Sequence, residues 1–206
     1  MQIHLIQCGR LQSNCYLIEE GDSAVLIDCG GDGFEILDFA AAKGLKIKAV
    51  LLTHGHIDHI EGVDRVVAEH QCPLYIHEND LEYLYNASLN LSPQIYRIPV
   101  VLKTTAIAFR DNERLDFGSL NFNIIHTPGH TPGSVCFQIG ESLFTGDTLF
   151  FNSVGNEFPP FGNFALEIDS IRNRLFSLES DFICYPGHGE STTLVYEKIN
   201  NPYCRV

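Results

Sequence analysis

The chain has 206 residues, enough for one domain of ordinary size and too few for two. It carries 26 acidic and 13 basic side chains, which gives a formal net charge of −13. A protein that binds the phosphates of nucleic acid needs the opposite charge, so nucleic acid is excluded as a partner. We therefore expect a small-molecule substrate. No feature of the sequence indicates an oligomeric state.

The N-terminal segment has the pattern of a first strand and lacks the charged and cleavable regions of a signal peptide. No apolar run reaches the roughly 18 residues that a membrane-spanning helix needs. The seven cysteines form no C-x-x-C pair and mostly stand in apolar surroundings. We expect reduced, buried thiols, and neither a cysteine nucleophile nor a cysteine metal site. These features predict a cytoplasmic protein without a membrane partner.

Apolar residues in short runs predict five strands in the first half of the chain. These strands cover 2–7, 14–18, 24–28, 47–52 and 73–77. Apolar residues spaced three to four positions apart predict three helices, at 34–43, 59–70 and 79–85. The segment 86–98 that follows is irregular and contains Pro93.

The second half of the chain continues the alternation of strands and helices. Its predicted strands are 100–109, 115–126 with a break at Gly118, 134–139, 142–145 and 181–185. A loop rich in Gly, Pro and Phe at 150–163 precedes a helix at 164–178, and a last helix covers 191–199. Because no linker or low-complexity tract divides the chain, this order predicts one α/β domain over 1–206, with two sheets flanked by helices.

Metal-ligand side chains are concentrated directly after the apolar run 49–52. Within six positions the chain places His54, His56, Asp58 and His59. Three more potential ligands follow predicted strands further along, namely His130, Asp147 and His188. Imidazole and carboxylate are the usual ligands of catalytic zinc, and imidazole also suits iron. Seven such groups at strand ends predict one shared site for two metal ions.

The order and local context of these motifs resemble the metallo-β-lactamase superfamily over essentially the whole chain. The H-x-H-x-D-H motif of that family corresponds to 54–59, and its later ligands match His130 in T-P-G-H, Asp147 in T-G-D and His188 in P-G-H. The resemblance implies an α/β fold in which two mixed β-sheets flanked by helices form a four-layer αββα sandwich. It also implies that His126 lies near the site without being a ligand. His4, His70 and His77 stand in ordinary strand or helix patterns, so we expect them to be structural or exposed.

The same resemblance implies a role for each ligand. The implied sets are His54, His56 and His130 for one metal, and Asp58, His59 and His188 for the other, with Asp147 bridging both. Asp28 and Thr53 would orient ligand imidazoles through hydrogen bonds. The cofactors are then two divalent ions, zinc in the first place, with iron or manganese as alternatives.

Two such metals predict hydrolysis. Cations about 3.5–4 Å apart can share a water molecule and lower its pKa to about 7. The resulting metal-bound hydroxide is the nucleophile, and the carbonyl that it attacks is polarised by the same metals. Asp58 is the side chain that this scheme assigns to catalysis. A thiolate fits well as the leaving group because it departs without needing a proton.

Within the superfamily, the short chain and the runs 146–150 and 186–189 are similar to the small single-domain glyoxalase II-like hydrolases. Those enzymes hydrolyse thioesters of the S-lactoylglutathione type. This chain departs from them at Asn156, where glutathione-cleaving members usually carry Arg or Lys. The surrounding loop 150–163 contains no Lys or Arg and is rich in Phe. We predict Asn156 and Phe158 as residues of a substrate loop that accepts a less charged group.

Other activities stay open at this point. A similarity to persulfide dioxygenases of the same fold predicts a single Fe(II) held by His54, His130 and Asp147. A lactone or other ester is an alternative substrate for the hydrolase. A non-catalytic metal-binding module ranks last because no ligand is missing. An antibiotic-cleaving β-lactamase is disfavoured because the sequence shows no signal peptide.

Overall fold

The computed structural model describes residues 1–156 and 162–206, in which two six-stranded sheets lie face to face between two layers of helices. The strands of the first sheet are β1 (Gln2–Cys8), β2 (Ser13–Glu20), β3 (Ser23–Ile27), β4 (Lys46–Leu51), β5 (Leu74–His77) and β6 (Ala106–Phe109). They lie side by side in chain order. The first three pair antiparallel, and β3 to β6 pair parallel, so the sheet is mixed as predicted.

The second sheet is also mixed. The remaining strands are β7 (Arg114–Phe117), β8 (Leu120–His126), β9 (Val135–Ile139), β10 (Ser142–Gly146), β11 (Leu149–Phe150), β12 (Ser153–Val154), β13 (Ile183–Pro186) and β14 (Thr192–Thr193). The order across the sheet is β14-β13-β10-β9-β8-β7, while β11 and β12 form a separate pair. All neighbouring strands of this second six-stranded sheet are antiparallel except β10 and β13, which are parallel.

Helices cover the outer faces of the sheets. The α-helices are α1 (Phe34–Lys43), α2 (Ile57–Ile60), α3 (Val63–His70), α4 (Ser92–Tyr96), α5 (Phe164–Ser170) and α6 (Leu194–Asn200). A 3-10 helix spans Glu78–Tyr85, and a turn of π-helix spans Ile171–Leu175. None of the helices in the described ranges is long and apolar enough to cross a membrane.

Alternation along the strands builds the core between the layers. In β3, Val25 and Ile27 point toward the second sheet, where they join a cluster that includes Phe137. Their neighbours Ala24 and Leu26 belong to a different cluster on the opposite face of the sheet. Because successive side chains of a strand point to opposite faces, a strand buried on both faces must be apolar throughout. This pattern confirms the four-layer αββα arrangement.

The two outer clusters attach the helices. On the first sheet, Ile36 of α1 and Val66 of α3 pack with the strands. On the second sheet, Leu175 and Leu194 pack over Cys184 of β13. All seven cysteines are free and buried, as the sequence predicted.

Two predicted elements differ from the structure for identifiable reasons. The strand predicted at 100–109 is limited to Ala106–Phe109, because the carboxylate of Asp64 accepts hydrogen bonds from the backbone N–H groups of Lys103 and Thr104. The helix predicted at 59–70 is divided into α2 and α3. The N–H of Gly62 donates to Cys29 O at 2.9 Å and not to the preceding helical turn.

Several smaller elements also differ. The helix predicted at 164–178 turns into π-helix after Ser170, and the irregular segment 86–98 contains α4. The last helix begins at Leu194, where the side chain of Thr193 caps the N–H of Tyr196, and not at 191.

Candidate metal centre

Four strands lead into the loops that carry the predicted ligands. In the second sheet, β8 and β10 are both antiparallel to β9, and β13 is parallel to β10, so these three strands run in one direction. Their carboxyl ends therefore lie at the same edge of the sheet, and each is followed by a predicted ligand, His130, Asp147 or His188. From the first sheet, β4 ends at Leu51, just before the ligand-rich segment 53–59.

The first group of potential ligands consists of three buried imidazoles, His54, His56 and His130, whose ligand atoms all lie within 4.8 Å of one another. His56 Nδ1 is 2.9 Å from His130 Nε2. The other nitrogen of His130, Nδ1, lies 2.9 Å from the backbone oxygen of Asn156, which orients the ring. His54 Nδ1 lies 3.1 Å from Thr53 Oγ1 in the same way.

The second group combines one carboxylate with two imidazoles, and its members are Asp58, His59 and His188. His188 Nε2 is 3.1 Å from Asp58 Oδ2 and 3.3 Å from His59 Nε2. The Ser13 hydroxyl donates to Asp58 Oδ2 at 2.9 Å. The side chain of His188 is 30% exposed, whereas that of His59 is fully buried, so this group reaches the surface.

Asp147 lies between the two groups. It forms a third set of close ligand atoms with one imidazole of each group, His54 and His59. Asp147 Oδ2 is 3.6 Å from Nε2 of His130 and 3.6 Å from Nε2 of His188. A Cβ at Gly187 would collide with Asp147 Oδ1, so the glycine before His188 allows the two loops to approach each other.

The polar atoms that face one another here fit a metal site. His54 Nε2 is buried without a hydrogen-bond partner among the described residues, and Asp147 Oδ1 lies 3.3 Å from His59 Nε2 without hydrogen-bond geometry. Leaving buried polar atoms unsatisfied costs free energy, which a coordinated cation would offset. Imidazole nitrogens and carboxylate oxygens are also the donors that zinc and iron prefer.

Asp28 and Thr53 lie beside ligand imidazoles, where the sequence analysis expected them. Asp28 Oδ2 is 2.9 Å from His59 Nδ1. The same carboxylate accepts hydrogen bonds from the N–H and the hydroxyl of Thr53, both at 2.8 Å. Thr53 in turn contacts His54, so one buried carboxylate orients an imidazole of each group.

Asp80 is a residue of the site that sequence reasoning missed. It is fully buried, and its carboxylate accepts hydrogen bonds from Gly55 N at 2.9 Å, Thr131 Oγ1 at 2.7 Å and Gly133 N at 2.7 Å. These partners flank ligands of the first group on two different loops. Asp80 therefore ties the loops together, and burial raises its pKa to about 6.

Burial sets the charge state of the first group. Removal from water disfavours the imidazolium form, so burial lowers the pKa of His54, of His130 and, to about 3, of His56. These imidazoles are neutral at pH 7. A neutral imidazole keeps a lone pair for a cation.

Carboxylates set the charge state of the second group. Burial alone would lower the pKa of His59. The charges of Asp147, Asp58 and Asp28 outweigh burial and hold this pKa well above its usual value. Burial alone would raise the pKa of Asp58. The charge of His59 and the hydrogen bond with His188 outweigh burial and hold this pKa well below its usual value. Without a metal, His59 therefore keeps a proton that the neighbouring carboxylates stabilise.

A cavity of about 630 Å³ opens onto both groups. This volume suits a small organic ligand. On one side it is lined by His56, Asp58, His130, Asp147 and His188. Its other lining residues among those described are Leu11, Leu91, Gln94, Ile95, Phe150 and Asn156.

The structure thus brings together all seven predicted ligands, and Asn156 lines the same cavity. Phe158, the other predicted residue of the substrate loop, lies outside the described residues. His126 is close to the site but bonds to the backbone of Pro132 and stacks on His77, with ring centroids 4.1 Å apart. That each of the seven side chains binds a metal stays a prediction.

A buried cluster of imidazoles and carboxylates at the edge of a four-layer αββα sandwich defines a metallo-hydrolase type of protein. The family model described as the metallo-beta-lactamase superfamily matches residues 8–188. The chain therefore belongs to this superfamily, and its imidazole and carboxylate cluster suits divalent metal.

Similar proteins include a named hydrolase and two metal-related structures. Hydroxyacylglutathione hydrolase GloC of Haemophilus influenzae is 34% identical over 208 residues, which cover 98% of each chain. The crystal structure of BLEG-1 B3 metallo-beta-lactamase is similar with a TM-score of 0.93 and 34% identity, over 98% of this chain and 99% of that one. TTHA1623 in a di-iron-bound form has a TM-score of 0.85 and 34% identity, over 97% and 99% of the two chains.

Proposed function

We propose that the chain is a thioester hydrolase of glyoxalase II type that works with two divalent metal ions, zinc in the first place. The observation that carries this proposal is the presence of two ligand groups side by side on one cavity, linked by Asp147. The likeness to GloC, whose name describes a thioester-cleaving hydrolase, supports the reaction type.

In this proposal the seven side chains act as the ligands of the two metals. The first metal is held by His54, His56 and His130, the second by Asp58, His59 and His188, and Asp147 contributes to both. Asp28 and Thr53 hold two of the imidazoles in orientation. Asp58 is the side chain assigned to catalysis, because it lines the cavity and is fixed by Ser13 and His188.

When bound, the two ions would supply Lewis-acid activation of a water molecule and of the substrate carbonyl. The chain's own contribution is to hold neutral imidazoles and carboxylates in a fixed arrangement, so that the reacting groups meet without reorganisation. Asp28 and Asp80 maintain that arrangement from outside the ligand groups.

The cavity also favours a thioester over other carbonyl compounds. Apart from the proposed ligands, its described lining consists of aliphatic, aromatic and amide side chains, none of which can donate a proton as a general acid. Amine and alcohol leaving groups need such a proton. A thiol of pKa about 8.5 can leave as the thiolate.

A second candidate is an iron-dependent oxidoreductase that uses His54, His130 and Asp147. The di-iron-bound relative favours iron as a metal for this fold. The Asp58, His59 and His188 group is compatible with this activity as well, and the likeness to GloC is what favours hydrolysis. Lactone, ester and β-lactam hydrolysis are weaker candidates, because their leaving groups need a proton.

The test is thiol release from S-lactoylglutathione and from uncharged thioesters by protein loaded with two metals, beside a chelator-treated sample. We expect turnover that the chelator abolishes and added metal restores. Oxygen uptake is measured with a persulfide, and hydrolysis is measured with a lactone and with a β-lactam, all on the same sample. Oxygen uptake without thiol release from any thioester would overturn the proposal in favour of the oxidoreductase.

A further inference from the structure

Apart from the proposed ligands, the described lining of the cavity is mostly apolar and carries no charge. It receives Leu11 from the loop between β1 and β2, Phe150 from β11, and Leu91 and Ile95 from the segment around α4. The two polar residues there, Gln94 and Asn156, are amides without charge. An apolar surface built from three separate parts of the chain points to a ligand with an apolar portion.

Leu91 is held in a conformation that leucine rarely adopts. Its φ of 65° and ψ of 12° lie in the left-handed region, which is strained for a residue with a Cβ. Leu91 is 7% exposed, yet it belongs to none of the three hydrophobic core clusters of the described residues. The strained backbone therefore places this side chain at the cavity and not in the core.

The residues on both sides of Leu91 fix this conformation. The backbone oxygen of Asn90 accepts a hydrogen bond at 2.8 Å from the N–H of Ile57, which lies between two proposed ligands. The Asn90 amide donates to Val100 O at 2.9 Å, and its oxygen accepts from Ser92 N at 3.0 Å. This clamp ties the position of Leu91 to the loop that carries His56 and Asp58.

Among the described residues, the lining of the cavity offers no cation that could pair with a charged thiol. A glutathione thioester carries carboxylates, and no Lys or Arg is among the described lining residues. Arg10 is exposed and directly precedes the lining residue Leu11 in the chain.

From these observations we propose that the substrate is a thioester with an uncharged, aliphatic acyl chain, and that Leu91 and Leu11 set this preference. The inference rests on the thioesterase function proposed above and names its substrate class. Each methylene transferred from water to an apolar site is worth about 0.8 kcal/mol, which corresponds to a rise in kcat/KM of up to about fourfold.

The experiment measures kcat/KM of the metal-loaded full chain on acetyl, butyryl and hexanoyl thioesters of N-acetylcysteamine, an uncharged thiol, and on S-lactoylglutathione. Dissociation constants are measured by calorimetry for the matching ketones, in which a methylene replaces sulfur and prevents hydrolysis. The variants are Leu91→Asn and Leu11→Asn, with Leu5→Asn and Arg10→Gln as controls. Asn tolerates the left-handed region, so Leu91→Asn keeps the local backbone. Leu11 and Leu5 are both exposed, at 44% and 51%.

We expect kcat/KM and ketone affinity to rise with chain length in the unsubstituted protein. Leu91→Asn and Leu11→Asn should flatten that rise, while Leu5→Asn and Arg10→Gln should behave like the unsubstituted protein. A flat chain-length series, or preference for S-lactoylglutathione that Arg10→Gln abolishes, would overturn the inference and leave the thioesterase function intact. If no thioester were cleaved, the proposed function would fail, and the ketone series would decide the preference of the cavity by itself.

Discussion

The two ligand groups differ in burial, charge and support, although they share one cavity. His54, His56 and His130 are neutral and almost fully inaccessible, with relative exposures of 1%, 5% and 2%. The second group contains Asp58 and the partly exposed His188. We infer that a metal in the first group is enclosed by the fold, whereas a metal in the second group exchanges more readily with solvent.

Protons sharpen this difference. Burial by itself would lower the pKa of His188, but the hydrogen bond to Asp58 and the charge of Asp147 outweigh burial and raise it. The charges of Asp147, Asp58 and Asp28 raise the pKa of His59 in the same way. A metal must displace the proton from this group, so its binding weakens as the pH falls. The first group has neutral imidazoles and needs no such displacement. The second metal should therefore be lost first.

The largest effect is expected from Asp147→Ala, because Asp147 serves both groups. Removing a residue that only supports a ligand costs about 10- to 100-fold in affinity or activity, so we expect a loss of at least about 100-fold here. Thiol release and metal content per chain are the measurements. Asp116→Ala, at an exposed carboxylate, is the matched control. A variant with two metals and full turnover would show that Asp147 does not bridge.

His188→Ala should separate the two groups. It removes one imidazole from the more exposed group only, so we expect one retained metal and a loss of activity of at least about 10-fold. Metal content is measured after desalting, beside His56→Ala, which should reduce binding to the enclosed group. Loss of both metals from His188→Ala would mean that the groups do not bind independently.

Asp80→Asn should weaken the first group without touching a ligand. The amide has one acceptor oxygen, so it cannot accept all three hydrogen bonds that hold Gly55, Thr131 and Gly133. We expect metal affinity to fall by about 10-fold or more. Asp22→Asn, at an exposed site, should leave affinity unchanged. Unchanged affinity in Asp80→Asn would mean that the two loops do not depend on this carboxylate.

A comparison of the unsubstituted chain with Asp80→Asn also tests the pKa of Asp80. Its folded value of about 6 exceeds the reference value of 3.8, so the folded state binds more protons between these two pH values. The contribution of Asp80 to stability is therefore full below about pH 4 and is lost as the pH rises through about 6. In metal-free protein, unfolding should show the unsubstituted chain losing stability relative to Asp80→Asn across this window. A constant difference would contradict the raised pKa.

The smallest effect is expected from Asn156→Arg, which alters neither group. The backbone oxygen of Asn156 that contacts His130 is retained, while the new guanidinium can pair with a carboxylate of glutathione. Exposed ion pairs contribute up to about 1 kcal/mol, so S-lactoylglutathione hydrolysis should improve by at most about fivefold. Asn121→Arg is the surface control. No change in Asn156→Arg would mean that another residue controls access of charged thiols.

The cluster of potential ligands could be found from the sequence because its residues are dense and follow strands that end at one edge. Asp80 could not, because two of its three partners are backbone N–H groups and all three are 25 to 53 positions away. The four-layer fold followed from the motif resemblance. The start of strand β6, which ends at Phe109, depends on the hydrogen bonds that Asp64 accepts just before it, and no local sequence pattern reveals this contact. The strain at Leu91 likewise depends on the clamp at Asn90.

The central claim is that thioester hydrolysis requires both metals. Its most direct test is thiol release from the hexanoyl thioester while chelator-stripped protein receives zinc in steps up to two equivalents. The account predicts little turnover up to the first equivalent, which fills the enclosed group, and full turnover near the second. Full turnover at one equivalent, or none at two, would contradict it.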